Sequence, residues 1–367
     1  MTPLRDECLS AAAKKGEIAT IAGRESRRGR KNKEKRFRRG PSVSRREEKQ
    51  KQSRKGKTIT SMDKRMKRRK EYRTWKKGYY HLCTDGLKEG SLFYDEGEYV
   101  NAVNTLSLLD LKYPVKVHFY EVMRSHLHLI VSGRGTYCVD SFDYLKDRIG
   151  GRLRKDGRPP LPPDYDFRLY PIENEEHMRD NIIYIAQNAP KVMDILPGGY
   201  LWGSAQMFYS DLPRLFKTVR AGDLSDRELE RMLGTHLAIP PDRLILSDLG
   251  MVLPQSFVDP GVFYKVFPTA KEYLIRLAKD YDAYCRIAAQ VGEEVDYSLV
   301  EALDIVQQEL DKLNLTLDKL SADDRCGLAV ELNRKYQLKA EVLSPALLVP
   351  AHILAQKLYA ERPKKKG

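Results

Sequence analysis

Between residues 114 and 132 apolar and polar positions alternate as they do in two neighbouring strands. PVKVHFYEVM sets Val115, Val117 and Phe119 against Lys116, His118 and Tyr120, and HLHLIVS follows after two residues, which predicts a hairpin. GYYHLCTDG, residues 78 to 86, predicts an earlier strand ending in an Asp-Gly turn. DEGEYVNAVNTLSLLDLKY, residues 95 to 113, starts acidic and repeats Tyr99, Val103, Leu106 and Leu109 at helical spacing. A helix over about 141 to 153, a basic Pro-rich loop (RLRKDGRPPLPPDYD), a strand FRLYPI over 167 to 172 and a helix over about 175 to 188 complete the series. The order β-α-β-β-α-β-α predicts an α+β fold of the ferredoxin-like, split βαβ kind, with helices on one sheet face and the other face open.

After about residue 212 the pattern changes to RAGDLSDRELERMLG, a Pro-interrupted stretch to Pro268 and long helical runs from Lys271 onward. Residues 213 to 367 are therefore expected to form an α-helical C-terminal domain following a domain over 76 to 212. Within it, residues 321 to 359 predict a helix, a short helix, a turn and a helix. Pro350 stands at a tolerated first-turn position, and Ala351, His352 and Gln356 face outward. Two readings fit, a helix-turn-helix that reads DNA or an ordinary helical packing module.

Charge adds a third segment. The net charge of the 367 residues is +14, but residues 1 to 75 hold 27 Lys and Arg against 9 Asp and Glu, leaving 38 against 42 for the rest. The stretch from about 24 to 73 has too few apolar side chains to offset chain entropy, so residues 1 to 75 are expected to be a disordered basic arm. The arm suits a polyanion partner; a solvating tail, or an upstream extension of a chain starting at Met62, are the alternatives. No apolar run approaches a membrane span and the N-terminus has no apolar signal region, so a soluble, cytoplasmic protein is expected. The five cysteines, Cys8, Cys83, Cys138, Cys285 and Cys326, are scattered without CxxC spacing and are expected to be reduced thiols.

The candidate chemistry starts at RSHLHLIVS, residues 124 to 132. On a strand His126 and His128 point one way and Leu127, Leu129 and Val131 the other. Two imidazoles on one face suit a divalent ion that takes a third ligand from elsewhere; two polar residues facing water is the plainer reading. In ENEEHMRDNIIYIAQNAPKV, Asn181, Tyr184 and Asn188 share one helical face, with Met178, Ile182 and Ile185 towards another. A tyrosine there is either reactive or a boundary residue with a packed ring and a wet hydroxyl.

HFYEVMRSHLHLIVSG resembles the strand carrying the HUH motif (His, hydrophobic residue, His) in single-tyrosine transposases, in particular the REP-associated tyrosine transposases. Tyr184-Ile185-Ala186-Gln187-Asn188, then Pro190, then GYLWGSAQMFY with Trp202 and Ser204, resemble that family's second signature. GYYHLCTDG followed by Leu92-Phe93 resembles its first strand and loop, so the similarity spans about residues 76 to 210. It implies that Tyr184 is the nucleophile and that His126, His128 and Asn188 hold Mg2+ or Mn2+. Gln187 competes with Asn188 as ligand, the family's Asn-Pro is Asn-Ala-Pro here, and Ser125 stands where relatives often have Asn. The implied activity is that of a DNA endonuclease and strand transferase, a transposase working on single-stranded or hairpin DNA, with a possible homodimer because each chain supplies one tyrosine.

The chemistry is coherent without the resemblance. A phenol with an ordinary pKa near 10 is a poor nucleophile until nearby charge is withdrawn, and an ion on two imidazoles and an amide oxygen keeps positions free for the phosphate. Attack leaves a 5′-phosphotyrosine and a free 3′-OH, which retains bond energy for rejoining. Lys146, Arg148, Arg152, Arg154, Lys155 and Arg158 form the densest basic cluster of the ordered region and are the expected phosphate contacts. On an open sheet face, Tyr120 or Tyr80 would stack on a base, and His118 stands beside the site at most as a supporting residue. A non-catalytic nucleic-acid-binding protein on the same fold is the alternative function.

Overall fold

The predicted hairpin forms as β2 (Lys116–Val122) and β3 (Leu127–Gly133), antiparallel, with Glu121 opposite His128 and Val122 opposite Leu127. The computed structural model describes residues 62–84, 91–193, 195, 198–210, 212–279, 281–292, 295 and 297–360. Most of the basic segment, up to residue 61, and the Asp85-Gly86 turn lie outside the described residues. The hairpin's partners are β1 (Gly78–Thr84) and β4 (Phe167–Ile172), in the order β2-β3-β1-β4 with every neighbour antiparallel.

Helices cover both faces of this sheet. On one, Leu82, Leu129 and Val131 meet Leu109 and the Cys138, Phe142 and Leu145 side of a long helix. Those helices are α2 (Glu96–Leu106), the short α3 (Leu109–Lys112) and α4 (Gly135–Lys155). The other face, expected to be open, is closed by α5 (Glu175–Val192) and by residues beyond 200: His81 and His128 meet the Tyr184 ring, and Phe119 stacks with Phe208 and Phe263.

A bulge redirects the hairpin. The register shifts between Val117 and Phe119, so Val117 opposes Val131, Phe119 opposes Ile130 and Tyr120 opposes Leu129. The extra residue, His118, interrupts the period of two and sends Phe119 and Tyr120 to the faces opposite those the alternation predicts.

The described chain begins with a helix, α1, over residues 62–72, so the last part of the segment read as disordered is ordered. Arg69 pairs with Asp166 and Asp143 at 2.6 Å each, Arg73 pairs with Asp140 at 2.7 Å, and Tyr72 is buried with its hydroxyl accepting from the Leu169 amide. The positive charge that argued against folding is neutralised by acidic side chains from α4 and the segment before β4. The region expected to be purely helical also holds a second sheet, β5 (Thr218–Arg220), β6 (Leu244–Leu246) and β7 (Met251–Val252), antiparallel in that order. Asn104 of α2 ties to it, donating to Gly250 and accepting from the Val252 amide.

From residue 226 the helices are α6 (Asp226–Leu233), α7 (Gly261–Val266), α8 (Ala270–Lys279), α9 (Tyr281–Val291), α10 (Leu299–Lys312), α11 (Ala322–Tyr336), α12 (Ala340–Leu347) and α13 (Ala351–Ala360). The last three match the predicted helix, short helix and helix, with Ala351, His352 and Gln356 exposed. Among the described residues no helix is long and apolar enough to cross a membrane.

Gly135 marks the docking of the first helix. A Cβ there would lie 1.9 Å from the Tyr72 carbonyl oxygen, and the Gly135 amide donates to the Trp75 carbonyl. Gly135→Ala is expected to cost about 1–3 kcal/mol, read as a lower urea midpoint. Gly151→Ala, whose Cβ would meet nothing closer than 3.9 Å, is expected to stabilise by about 0.5–1 kcal/mol. Equal effects of the two substitutions would contradict the docking.

Candidate active site

Strand pairing assembles the site. Cys83 of β1 lies opposite His128 of β3, and His81 precedes Cys83 by two residues, so the three share the face that carries His126. His81 Nε2 and His128 Nδ1 are 3.1 Å apart, and donor atoms of His81, Cys83 and His128 all lie within 4.8 Å of one another. His81 and His128 are wholly buried, and Cys83 is nearly so. Burial lowers His81 to about 3, opposed by the Asn181 side chain and reinforced by His177. Burial, with the charges of His126 and His81, also holds His128 well below the ordinary histidine value. Both rings are thus neutral near pH 7, the form in which imidazole binds a metal. His126 is half-buried, with Nδ1 2.9 Å from Ser125 Oγ and its ring centroid 4.8 Å from that of His128.

The second layer is α5. Asn174 caps it by accepting from the His177 amide, and Glu175 and Glu176 complement the positive end. From Asp180 to Ala189 every residue is buried, so the polar stripe and the apolar face are both covered. The Tyr184 ring stands edge-on to His128 at 5.3 Å and to His81 at 5.9 Å. On its other side Tyr284 of α9 lies 5.0 Å away, and Tyr184 has no exposed surface.

The two candidate third ligands differ in their partners. Asn188 Nδ2 donates to the Tyr184 carbonyl at 3.0 Å, one turn back in the same helix. Gln187 Nε2 donates to the Leu277 carbonyl of α8 at 2.6 Å, and its Oε1 is buried with no hydrogen-bond partner among the described residues. Opposite His128 on β2 stands Glu121, buried, its carboxyl pushed well above the ordinary value by burial despite the Ala189 backbone N–H.

The expected DNA contacts divide. Arg154 and Lys155 are exposed. Lys146 donates to the Tyr165 carbonyl, Arg148 to the Leu233 and Gly234 carbonyls at the end of α6, and Arg152 to Asp156. Arg158 bonds both oxygens of the buried Glu98, at 2.5 and 2.6 Å, and lies 3.9 Å over the Tyr94 ring. Tyr120, expected to stack on a base, is wholly buried and stacks on Phe257 instead, because both faces of the sheet are covered. Tyr80 is also buried, its hydroxyl donating to the Lys76 carbonyl. His118 bonds Ser132 at 2.8 Å, away from the histidine cluster. Trp202 and Ser204 extend the outer edge of β2: Val122 N–H donates to the Trp202 carbonyl and Ser204 N–H to the Tyr120 carbonyl.

Reasoning from sequence overlooked His81, Cys83 and Glu121. The first two were visible as His-Leu-Cys in GYYHLCTDG, the same alternate spacing as His126 and His128 on a strand already predicted. Glu121 became relevant only with the bulged register.

No protein-family model and no curated protein matches the chain. A solved structure described as "Structure of the REP associates tyrosine transposase bound to a REP hairpin" is similar at 16% identity. The similarity covers 38% of this chain and 81% of that one, at a TM-score of 0.30.

A buried carboxyl held protonated gives a pH signature. Glu121 keeps its proton when folded, whereas the unfolded chain releases it above about 4.5. The stability linked to it is fully present below that value and is lost as pH rises through the folded value. Glu121→Gln, an isostere of the neutral acid, is expected to exceed wild type by about 1 kcal/mol or more at pH 8 and to match it at pH 4, in urea melts. Parallel profiles would refute this.

Proposed function

We propose that this chain is an HUH-type DNA-nicking and strand-transfer enzyme, a single-tyrosine transposase on a ferredoxin-like sheet, acting on single-stranded or hairpin DNA. The observation that carries the reading is the position of α5 across the face bearing His126 and His128, with the Tyr184 ring 5.3 Å from His128. The strand order β2-β3-β1-β4 supports it, being that of a split βαβ sheet.

The donors suit a divalent ion: two imidazoles two residues apart on one strand face, beside a helix with two amide side chains one turn beyond the tyrosine. His126 and His128, with Asn188 or Gln187, would hold Mg2+ or Mn2+. Such an ion, when bound, polarises the scissile phosphate and neutralises charge on its non-bridging oxygens. Tyr184 supplies the nucleophile: its oxygen bonds to phosphorus as the phenolic proton passes to water, the bond from phosphorus to the 3′ oxygen breaks, and that oxygen takes up a proton from water to leave as a 3′-OH. The 5′-phosphotyrosine is then open to attack by another 3′-OH. Arg154 and Lys155 are the proposed phosphate contacts, with two protomers or two successive reactions completing strand exchange.

The burial of Tyr184 under Tyr284 favours a second reading, a DNA-binding protein that retains the fold without turnover. Labelled single-stranded hairpin DNA incubated with the full chain and Mn2+ separates the two. The enzyme gives an adduct that survives a denaturing gel, absent in Tyr184→Phe and reduced about 100-fold or more in His128→Ala. Retarded DNA with no adduct establishes the binder, and an adduct persisting in Tyr184→Phe removes Tyr184 as nucleophile.

A further inference from the structure

We infer that His81, Cys83 and His128 form a binding site for one transition-metal ion of the Zn2+ class, with a donor set different from that of the nicking site. It shares His128 with the reading above, a neutral imidazole whose one free lone pair serves one ion at a time, and it stands without that reading.

Register and burial carry the inference. Cys83 and His128 are directly opposed on neighbouring strands, and His81 is the next residue along the same face. The two imidazole nitrogens are 3.1 Å apart and the three donors fall within 4.8 Å. A tetrahedral ion with bonds of about 2.0–2.3 Å sets its donors roughly 3.3–3.6 Å apart, so closure requires movement of about an ångström. All three residues are buried, at 0%, 3% and 0% exposure, on rigid central strands rather than on loops. Two imidazoles and a thiolate form a donor set that selects Zn2+ or Co2+ over Mg2+, which prefers oxygen. An ion here replaces the hydrogen bond between His81 and His128 as the tie from β1 to β3 and fixes His128 beneath Tyr184.

The donors are buried, so the ion is supplied during folding, by producing the full chain in cobalt-supplemented medium. The expected product holds about one Co2+ per chain, with tetrahedral d–d absorption and a thiolate-to-cobalt charge-transfer band. Cys83→Ser is expected to lose that band, and Cys138→Ser, at a buried cysteine within α4, to keep it. His126→Ala is also expected to keep it. A wild-type protein without the band overturns the inference, whatever the folding of the variants, as does a band that survives Cys83→Ser. A Mn2+-dependent DNA adduct from a protein lacking the cobalt band would uphold the nicking reading and defeat this one; a cobalt band without any adduct would do the reverse.

Discussion

A helix buried on every side has no water to satisfy its polar groups, and α5 is such a helix from Asp180 to Ala189. Its amides therefore turn to backbone: Asn181 donates to His177, Asn188 to Tyr184 and Gln187 to Leu277. The aspartate at its buried start, Asp180, receives both Nε and Nη2 of Arg286. The two that reach neighbouring helices, Gln187 to Leu277 and Arg286 to Asp180, fix the rotation of the helix, and that rotation sets the Tyr184 ring against His128. The site geometry is thus a consequence of desolvation imposed from two directions, by the sheet below and by α8 and α9 above.

The same constraint determines access. Tyr284 lies on Tyr184, and Lys191 lies 4.2 Å over Tyr284 and 4.5 Å over Tyr297 while pairing with Glu301. Burial lowers the Lys191 pKa, with Glu301 opposing. A nucleic acid strand reaches the phenol only if this cover separates from α5, and each hydrogen bond lost in doing so costs about 0.5–1.5 kcal/mol. The C-terminal helices are therefore part of the cover over Tyr184.

Much of the sheet and its helices was legible because each element is long enough to show its period. The strands near 78, 116, 127 and 167 and the helices between them emerged from alternation and helical spacing alone. His126, His128 and Tyr184 were legible for the same reason, spacing on a strand and on a helix. Three features were not. The helix over 62–72 depends on Asp140, Asp143 and Asp166, far along the chain, so local composition concealed it. Strands β5 to β7 are two or three residues long, too short for any period to register. The bulge at His118 has no local signature, yet it turns Tyr120 to the opposite face and brings Glu121 opposite His128. Charge density along the chain also does not show that arginines such as Arg158 and Arg148 have internal partners.

The central claim is that Tyr184, set over the histidine face by α5, is the residue that bonds to DNA. Mass-spectrometric mapping of the DNA-linked tryptic peptide, after reaction of the full chain with hairpin DNA and Mn2+, tests it at the level of one side chain among 21 tyrosines. The account predicts a phosphodiester on the peptide that contains Tyr184. A linkage on any other tyrosine, or a peptide map with no DNA-linked species, would contradict it.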